Sequence, residues 1–157
     1  MHGRVKEFNI RWFEEPCRWN NDKEAMKDIR YMSGIPVAAG QSEISAAGCI
    51  GLMTNGSIDV CNFDASWAGG PTSWRQVAGT AAALGIEMAH HEEPQIFAHL
   101  LASAPTGTFL EVFHPDRDPL FYKIIEKHAN NPYCRNYNGF WFWCLSAGYT
   151  SSNYEMC

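Results

Sequence analysis

His91 and Asp64 stand 27 residues apart and are residue types that move protons together. A carboxylate beside an imidazole fixes the ring's tautomer and stabilises the imidazolium that forms when the ring takes a proton. Around this pair fall Glu14, Gln41 and Glu111, side chains whose oxygens are of the kind hard cations take. Each of the five closes a short apolar run or stands one step beyond it, and successive members are 27, 23, 27 and 20 residues apart. Such intervals suit one strand, a loop, a helix and a second loop of a parallel α/β barrel, in which chemistry sits where strands end.

The elements that must position these groups are legible in outline. Short apolar or β-branched runs predict strands near 8–13, 35–39, 58–63, 86–90 and 108–113. Helices are predicted between them. The first, about 21–33, has Asp22 and Glu24 early, Lys27 and Arg30 late and Gly34 just past its end, which suits the helix dipole and a left-handed cap. The second, about 43–54, carries Ile44, Ala47, Ile50 and Met53 at helical spacing before Asn55-Gly56. A third, about 72–84, follows Gly69-Gly70-Pro71 and stops at Gly85, and a fourth, about 94–103, places Ile96, Leu100 and Leu101 on one side. Strict alternation of strand and helix implies parallel strands with right-handed crossovers. The expected fold class is therefore α/β, a partial (β/α)8 TIM barrel of about five parallel strands with intervening helices, because 157 residues fall short of the about 250 that a whole barrel needs.

Bulk properties exclude several partners. A net charge of -5 without a basic stripe argues against nucleic acid, and no apolar stretch approaches the roughly 20 residues that span a bilayer. Met1-His2-Gly3-Arg4 has no apolar run after it of the kind an export signal needs, so a cytoplasmic location is expected. The six cysteines form no CxxC pair, which disfavours a zinc ribbon or a thioredoxin-type site; Cys49 and Cys61, each inside an apolar segment, read as buried reduced thiols. From about residue 128 the character changes to a segment with three of the six Cys, two Trp and four Tyr and no sustained helical period. Two readings stay open for 128–157: a closing strand and aromatic tail over a sheet edge, or residues that are not native to the fold and were never selected to pack.

The strings RWFEEP, IPVAAGQSE, DASWAGGPTSW, GIEMAHHEEPQIFAHLLASAP and FLEVFHPDRDPL resemble, in that order, the second half of the barrel in the mandelate racemase group of the enolase superfamily. The likeness runs from about residue 7 to about 122, which makes residues 1–127 the C-terminal part of an enolase-type barrel domain. The resemblance implies a divalent metal, usually Mg²⁺, that holds a substrate carboxylate while a base removes the α-proton. The enediolate is then reprotonated or expels a β-hydroxyl, so the implied substrate is a small carboxylate such as an acid sugar or 2-hydroxy acid.

Carried over position by position, the resemblance makes Glu14, the first Glu of Glu14-Glu15-Pro16, a metal ligand. It makes Asp64 and His91 the dyad with His91 as general base, and Glu111 a protonated acid that donates a hydrogen bond to the substrate carboxylate as charge builds there. His90 should point the other way, because side chains alternate along a strand. The sequence departs from the family at Gln41, where a third carboxylate usually follows the glycine; Glu43 comes two residues later, and either could ligate. Taken alone, Glu43 is an early acid of a helix. Asp59 and His99 read as structural.

A K-x-K strand, an earlier aspartate ligand and a capping region belong to the family pattern and are not found before Glu14. The matched part supplies about five of the eight strands of such a barrel. The chain is thus expected to be an oligomer or to need an N-terminal portion, and to be weakly active alone. With one visible base, dehydration is favoured over racemisation. The alternative from another class is a non-catalytic barrel fragment that assembles with a partner chain. A zinc hydrolase using His90, His91 and His99 is disfavoured for want of HExxH spacing.

Overall fold

A computed structural model describes residues 8–18, 22–114, 116, 117 and 119 and the strand segments 135–137 and 140–144. Strands and helices alternate along the chain. They are β1 (Phe13–Glu14), α1 (Lys23–Ser33), β2 (Val37–Ala39), α2 (Ala46–Thr54), β3 (Val60–Phe63), α3 (Gly70–Leu84), β4 (Glu87–His90), α4 (Pro94–Ala102) and β5 (Gly107–Phe113), followed by β6 (Arg135–Tyr137) and β7 (Phe140–Cys144). The sheet order is β1-β2-β3-β4-β5-β7-β6, with β1 to β5 parallel to their neighbours and β7 antiparallel to both β5 and β6. Five parallel strands with interspersed helices make the curled, open sheet of a partial TIM barrel.

Alternation along each strand sends two sets of side chains to opposite faces. Val37, Ala39, Cys61, Phe63, Met88, Leu110 and Val112 face the helices and join Met26, Leu52, Trp74, Val77 and Leu101 in one core. Ala38, Val60 and Ala89 face the concave side, where Trp12 and Phe109 pack on them. Burying a Leu or Phe side chain contributes about 1.5–3 kcal/mol. The convex core therefore carries most of the apolar stabilisation and leaves the smaller concave face for chemistry.

Several boundaries differ from expectation for local reasons. Residues 8–12 make no strand, because Asn9 has a left-handed φ of 46° and the ladder begins only at Phe13, whose N–H bonds Pro36 O at 2.8 Å. α2 starts later than predicted because Ser45 caps it, accepting from Gly48 N at 3.2 Å. α3 starts earlier, from left-handed Gly69, with Pro71 in its first turn, where a missing N–H does no harm. Gly34 ends α1 in the left-handed conformation, its N–H bonding Arg30 O.

Two helix faces were read in part: Met53 and Leu101 are buried, and Ile50 and Leu100 pack against the same core. Ala46, Cys49, Leu52 and Met53 are the buried residues of α2, while Ile44 lies outside the helix and is 79% exposed. Phe97 and Leu101 carry the buried side of α4, and Ile96 is 57% exposed. α2 is apolar nearly all round, so periodicity alone could not choose its face.

Asp59 and Arg30 are a structural pair, as the sequence reading of Asp59 supposed. Arg30 Nε and Nη2 donate to the two Asp59 oxygens at 2.7 and 2.5 Å, Arg30 Nη1 donates to Gly56 O, and Asp59 also accepts from Val37 N at 3.0 Å. The bidentate geometry ties the end of α1 to the start of β3. His99 is exposed on α4. Cys49 and Cys61 are buried free thiols. Most of 128–157 lies outside the described residues; in the two segments that are described, β7 lines the outer edge of β5 and β6 lines β7. Among the described residues, no helix is long and apolar enough to cross a membrane.

Candidate active site

The parallel ladder between β3 and β4 continues one step past β4, where His91 N bonds Phe63 O at the end of β3 at 3.4 Å. That register sets Asp64 and His91 side by side. His91 Nδ1 donates to Asp64 Oδ2 at 2.9 Å, which leaves Nε2 of the neutral ring with its lone pair free to take a proton. Asp64 Oδ1 is held in turn by Ser66 N at 2.8 Å, Ser66 Oγ at 2.5 Å and Trp67 N at 3.3 Å. The aspartate side chain is 1% exposed and the histidine 18%, so the acid is locked while the ring edge is reachable.

Burial pushes the Asp64 carboxyl up, yet the hydrogen bonds from His91 and Ser66 outweigh it and hold the group below the usual carboxylate range. Burial also disfavours the His91 cation. The Asp64 hydrogen bond and the charges of Glu111, Glu92 and Asp64 overcome it, and the ring is a stronger base than a free imidazole. Glu111, on the next strand, brings Oε2 to 3.6 Å from His91 Nε2, and Glu92 Oε1 lies at 3.8 Å. Burial, with Glu14 and Glu92 nearby, pushes Glu111 up to about 7 although His91 pulls it down. A carboxyl that titrates there can donate a hydrogen bond near neutral pH.

Adjacent His90 goes the other way. Fully buried, it stacks on Phe97 with ring centroids 4.1 Å apart, accepts from Ala65 N at Nε2 and donates from Nδ1 to His91 O at 2.8 Å. Both nitrogens are engaged in one neutral tautomer, and burial lowers its pKa to about 4. No proton acceptor is left on it.

At the β1–β2 end, Glu14 Oε1 accepts from Asn62 Nδ2 at 2.8 Å, and Gln41 Oε1 accepts from the same nitrogen at 3.3 Å. Trp12 Nε1 lies 3.3 Å from the other Glu14 oxygen. Gln41 reaches this point because Gly40, at φ 140°, lets the loop approach β3, where an added Cβ would meet the Asn62 carbonyl at 3.1 Å. Glu15, itself at φ 37°, anchors the loop by accepting from Ser42 N at 3.1 Å and Ser42 Oγ at 2.5 Å. Glu43 is placed elsewhere. Its carboxylate lies against Gly48 of α2, and burial with Asp22 nearby raises its pKa.

Asn62, Glu15, Trp12 and Glu92 were not singled out from the sequence. For Asn62 a signal existed: it stands two residues before Asp64 on the same face of β3. Glu92 and Glu93 follow His91 with φ of 57° and 50°, a left-handed pair that costs about 1–3 kcal/mol per residue and that no local motif announces.

A family profile described as enolase C-terminal domain-like matches residues 1–133. The chain belongs to the mandelate racemase/muconate lactonizing family of the enolase superfamily. It is 31% identical over 116 residues to the D-gluconate dehydratase of Thermoproteus tenax, covering 71% of this chain and 23% of that protein. Against the L-talarate/galactarate dehydratase of Salmonella typhimurium the identity is 26% over 142 residues, covering 90% and 35%. The crystal structure of a mandelate racemase/muconate lactonizing enzyme from a marine actinobacterium in complex with magnesium superposes with a TM-score of 0.74 at 52% identity, covering 91% of this chain and 38% of that one. This enolase-superfamily chain therefore spans well under half the length of these relatives.

Among the described residues no group of three or more His, Cys, Asp or Glu is gathered to hold a metal ion. What the chain does present is a carboxylate and an amide oxygen that converge on Asn62 Nδ2. Both are hard oxygens, the chemistry Mg²⁺ takes, and Mg²⁺ is often held by only one or two carboxylates with water and substrate completing six positions. The residues fit such an ion as part of a larger ligand set.

Proposed function

We propose that this chain carries the proton-transfer half of a Mg²⁺-dependent enzyme that removes the proton α to a carboxylate, leading to dehydration of an acid sugar or a related 2-hydroxy acid. The hydrogen bond of 2.9 Å between His91 Nδ1 and Asp64 Oδ2, with Nε2 turned toward Glu111, carries this reading. Relatives named as gluconate and talarate/galactarate dehydratases support dehydration over racemisation.

Glu14 and Gln41 would hold the Mg²⁺, with Glu43 the less suited candidate because it lies against α2. Bound there, the cation supplies positive charge beside the substrate carboxylate and so acidifies the α-carbon. His91 Nε2 takes the α-proton, and Asp64 holds the ring and balances the imidazolium charge. Glu111, in its protonated form, donates to the carboxylate oxygen on which negative charge grows. The β-hydroxyl then leaves as water with the proton held on His91 Nε2, which returns to its neutral form, and the remaining enol becomes a 2-keto acid. The same reading keeps the chain in the cytoplasm, where thiols such as Cys49 and Cys61 stay reduced.

The test is solvent exchange. The chain with Mg²⁺ in D₂O, given a panel of aldonic and aldaric acids, is expected to deuterate the α-carbon of at least one and to release its 2-keto product slowly. Magnesium uptake with no exchange for any acid would leave the rival: a non-catalytic barrel fragment that assembles with a partner chain. Its supporting observation is the outer edge of β1, which pairs with no strand among the described residues.

A further inference from the structure

We infer that Asn62 is a positioning residue for the cation side of the site: its amide nitrogen holds the Glu14 and Gln41 oxygens in one arrangement and so sets the affinity for Mg²⁺. This rests on the metal reading above. The concave positions near it, Ala38, Val60 and Ala89, are apolar and buried. Asn62 is 4% exposed among them, and a polar side chain at such a place needs a reason.

Its Nδ2 lies 2.8 Å from Glu14 Oε1 and 3.3 Å from Gln41 Oε1, so one amino group serves acceptors from two different strand ends. Without that donor, neither oxygen would keep this hydrogen bond and nothing would tie the two strand ends through position 62. With it, one lone pair on each is engaged and another stays available for a cation. The backbone takes part as well, since the Asn62 carbonyl closely faces Gly40, the residue before Gln41. Glu14 is steadied from its other oxygen by Trp12, and the Gln41 loop from its far side by Glu15. Asn62 is the member common to both oxygens. Its Oδ1 is buried without a partner, so the hydrogen bonds this side chain makes to the site run through its nitrogen.

Partners that orient metal ligands typically change metal affinity by about 10–100-fold when lost. Calorimetric Mg²⁺ titration of the full chain is expected to show Asn62→Leu weakened by about that factor. Asn62→Asp should weaken too, because a carboxylate there gives Gln41 no donor and repels Glu14. Val60→Ala, which opens the same concave layer without touching a donor, should lower Tm but leave affinity within about twofold. In the wild-type chain, the Asn62 side-chain amide resonances should move on saturation with Mg²⁺, a readout that needs no variant to fold. Equal affinity in wild type and Asn62→Leu, or amide resonances that stay fixed on saturation, overturns this inference alone. Tighter binding by Asn62→Asp also overturns it, by making position 62 a ligand site. A wild-type chain that takes up no Mg²⁺ overturns both this inference and the proposed function.

Discussion

Across β3, β4 and β5 the site is held by ladder register: Asp64 and His91 stand one step past the ends of β3 and β4, Glu111 lies within β5, and backbone hydrogen bonds fix their spacing. Across β1 and β2 it is held by a loop, with Glu14 on a two-residue strand and Gln41 in a turn that Gly40, Glu15 and Asn62 together pin. The first arrangement follows from sheet geometry and tolerates change around it. The second depends on a few side-chain hydrogen bonds, each worth about 0.5–1.5 kcal/mol net, or about 1.5–3 where a charge takes part. On the proposed function, proton transfer falls to the side held by the sheet and cation binding to the side held by the loop.

Substitution of the base gives the largest separation of the two sides. His91→Asn should cut α-deuterium exchange by about 10²–10⁴-fold, the usual worth of a positioned general base, while calorimetry finds Mg²⁺ affinity little changed. A parallel loss of both would mean the two ends are one unit, and the contrast would fail.

Acid should next expose what anchors the ladder side from behind. His90 has a pKa of about 4 against an ordinary value of 6.5, so the unfolded chain binds the extra proton between those values. Its contribution is whole above 6.5 and is lost as pH falls through 4, amounting to about 3 kcal/mol. Urea melts at pH 7 and pH 4 should show that loss in the wild type and a smaller one in His90→Asn. An identical acid loss in both would place the sensitivity elsewhere.

A smaller gain is expected at the other end. Gln41→Glu restores a full charge beside Glu14, and Mg²⁺ should bind about tenfold tighter, or about 1.4 kcal/mol. Unchanged affinity would show that position 41 does not face the cation, and Glu43→Gln would then be the informative variant.

Much of this was legible in the chain. Short apolar runs between capped helices gave the β/α order, and Gly34, Gly69-Gly70-Pro71 and Gly85 marked helix ends where the backbone does turn. The Asp64 and His91 pair was visible from its interval; alternation put His90 and His91 on opposite faces, and the family resemblance chose His91 for the site. The place of Asn62 two residues before Asp64 was legible, but its partners were not, since they lie 48 and 21 residues away and no spacing rule links them. The buried face of α2 was hidden too, because a helix apolar on nearly every side carries little moment to read.

Periodicity, caps and breakers act within a turn or two of helix or a few residues of strand, so the sequence by itself determined which elements form and which polar residues end the strands. Crossovers bring those ends together from distant parts of the chain, and only their packing decided that Gln41 meets Glu14 while Glu43 turns to α2. Hydrogen bonds such as Asn62 to Glu14 depend on distances of a few tenths of an ångström between separate strands, a quantity that exists only once the sheet has curled.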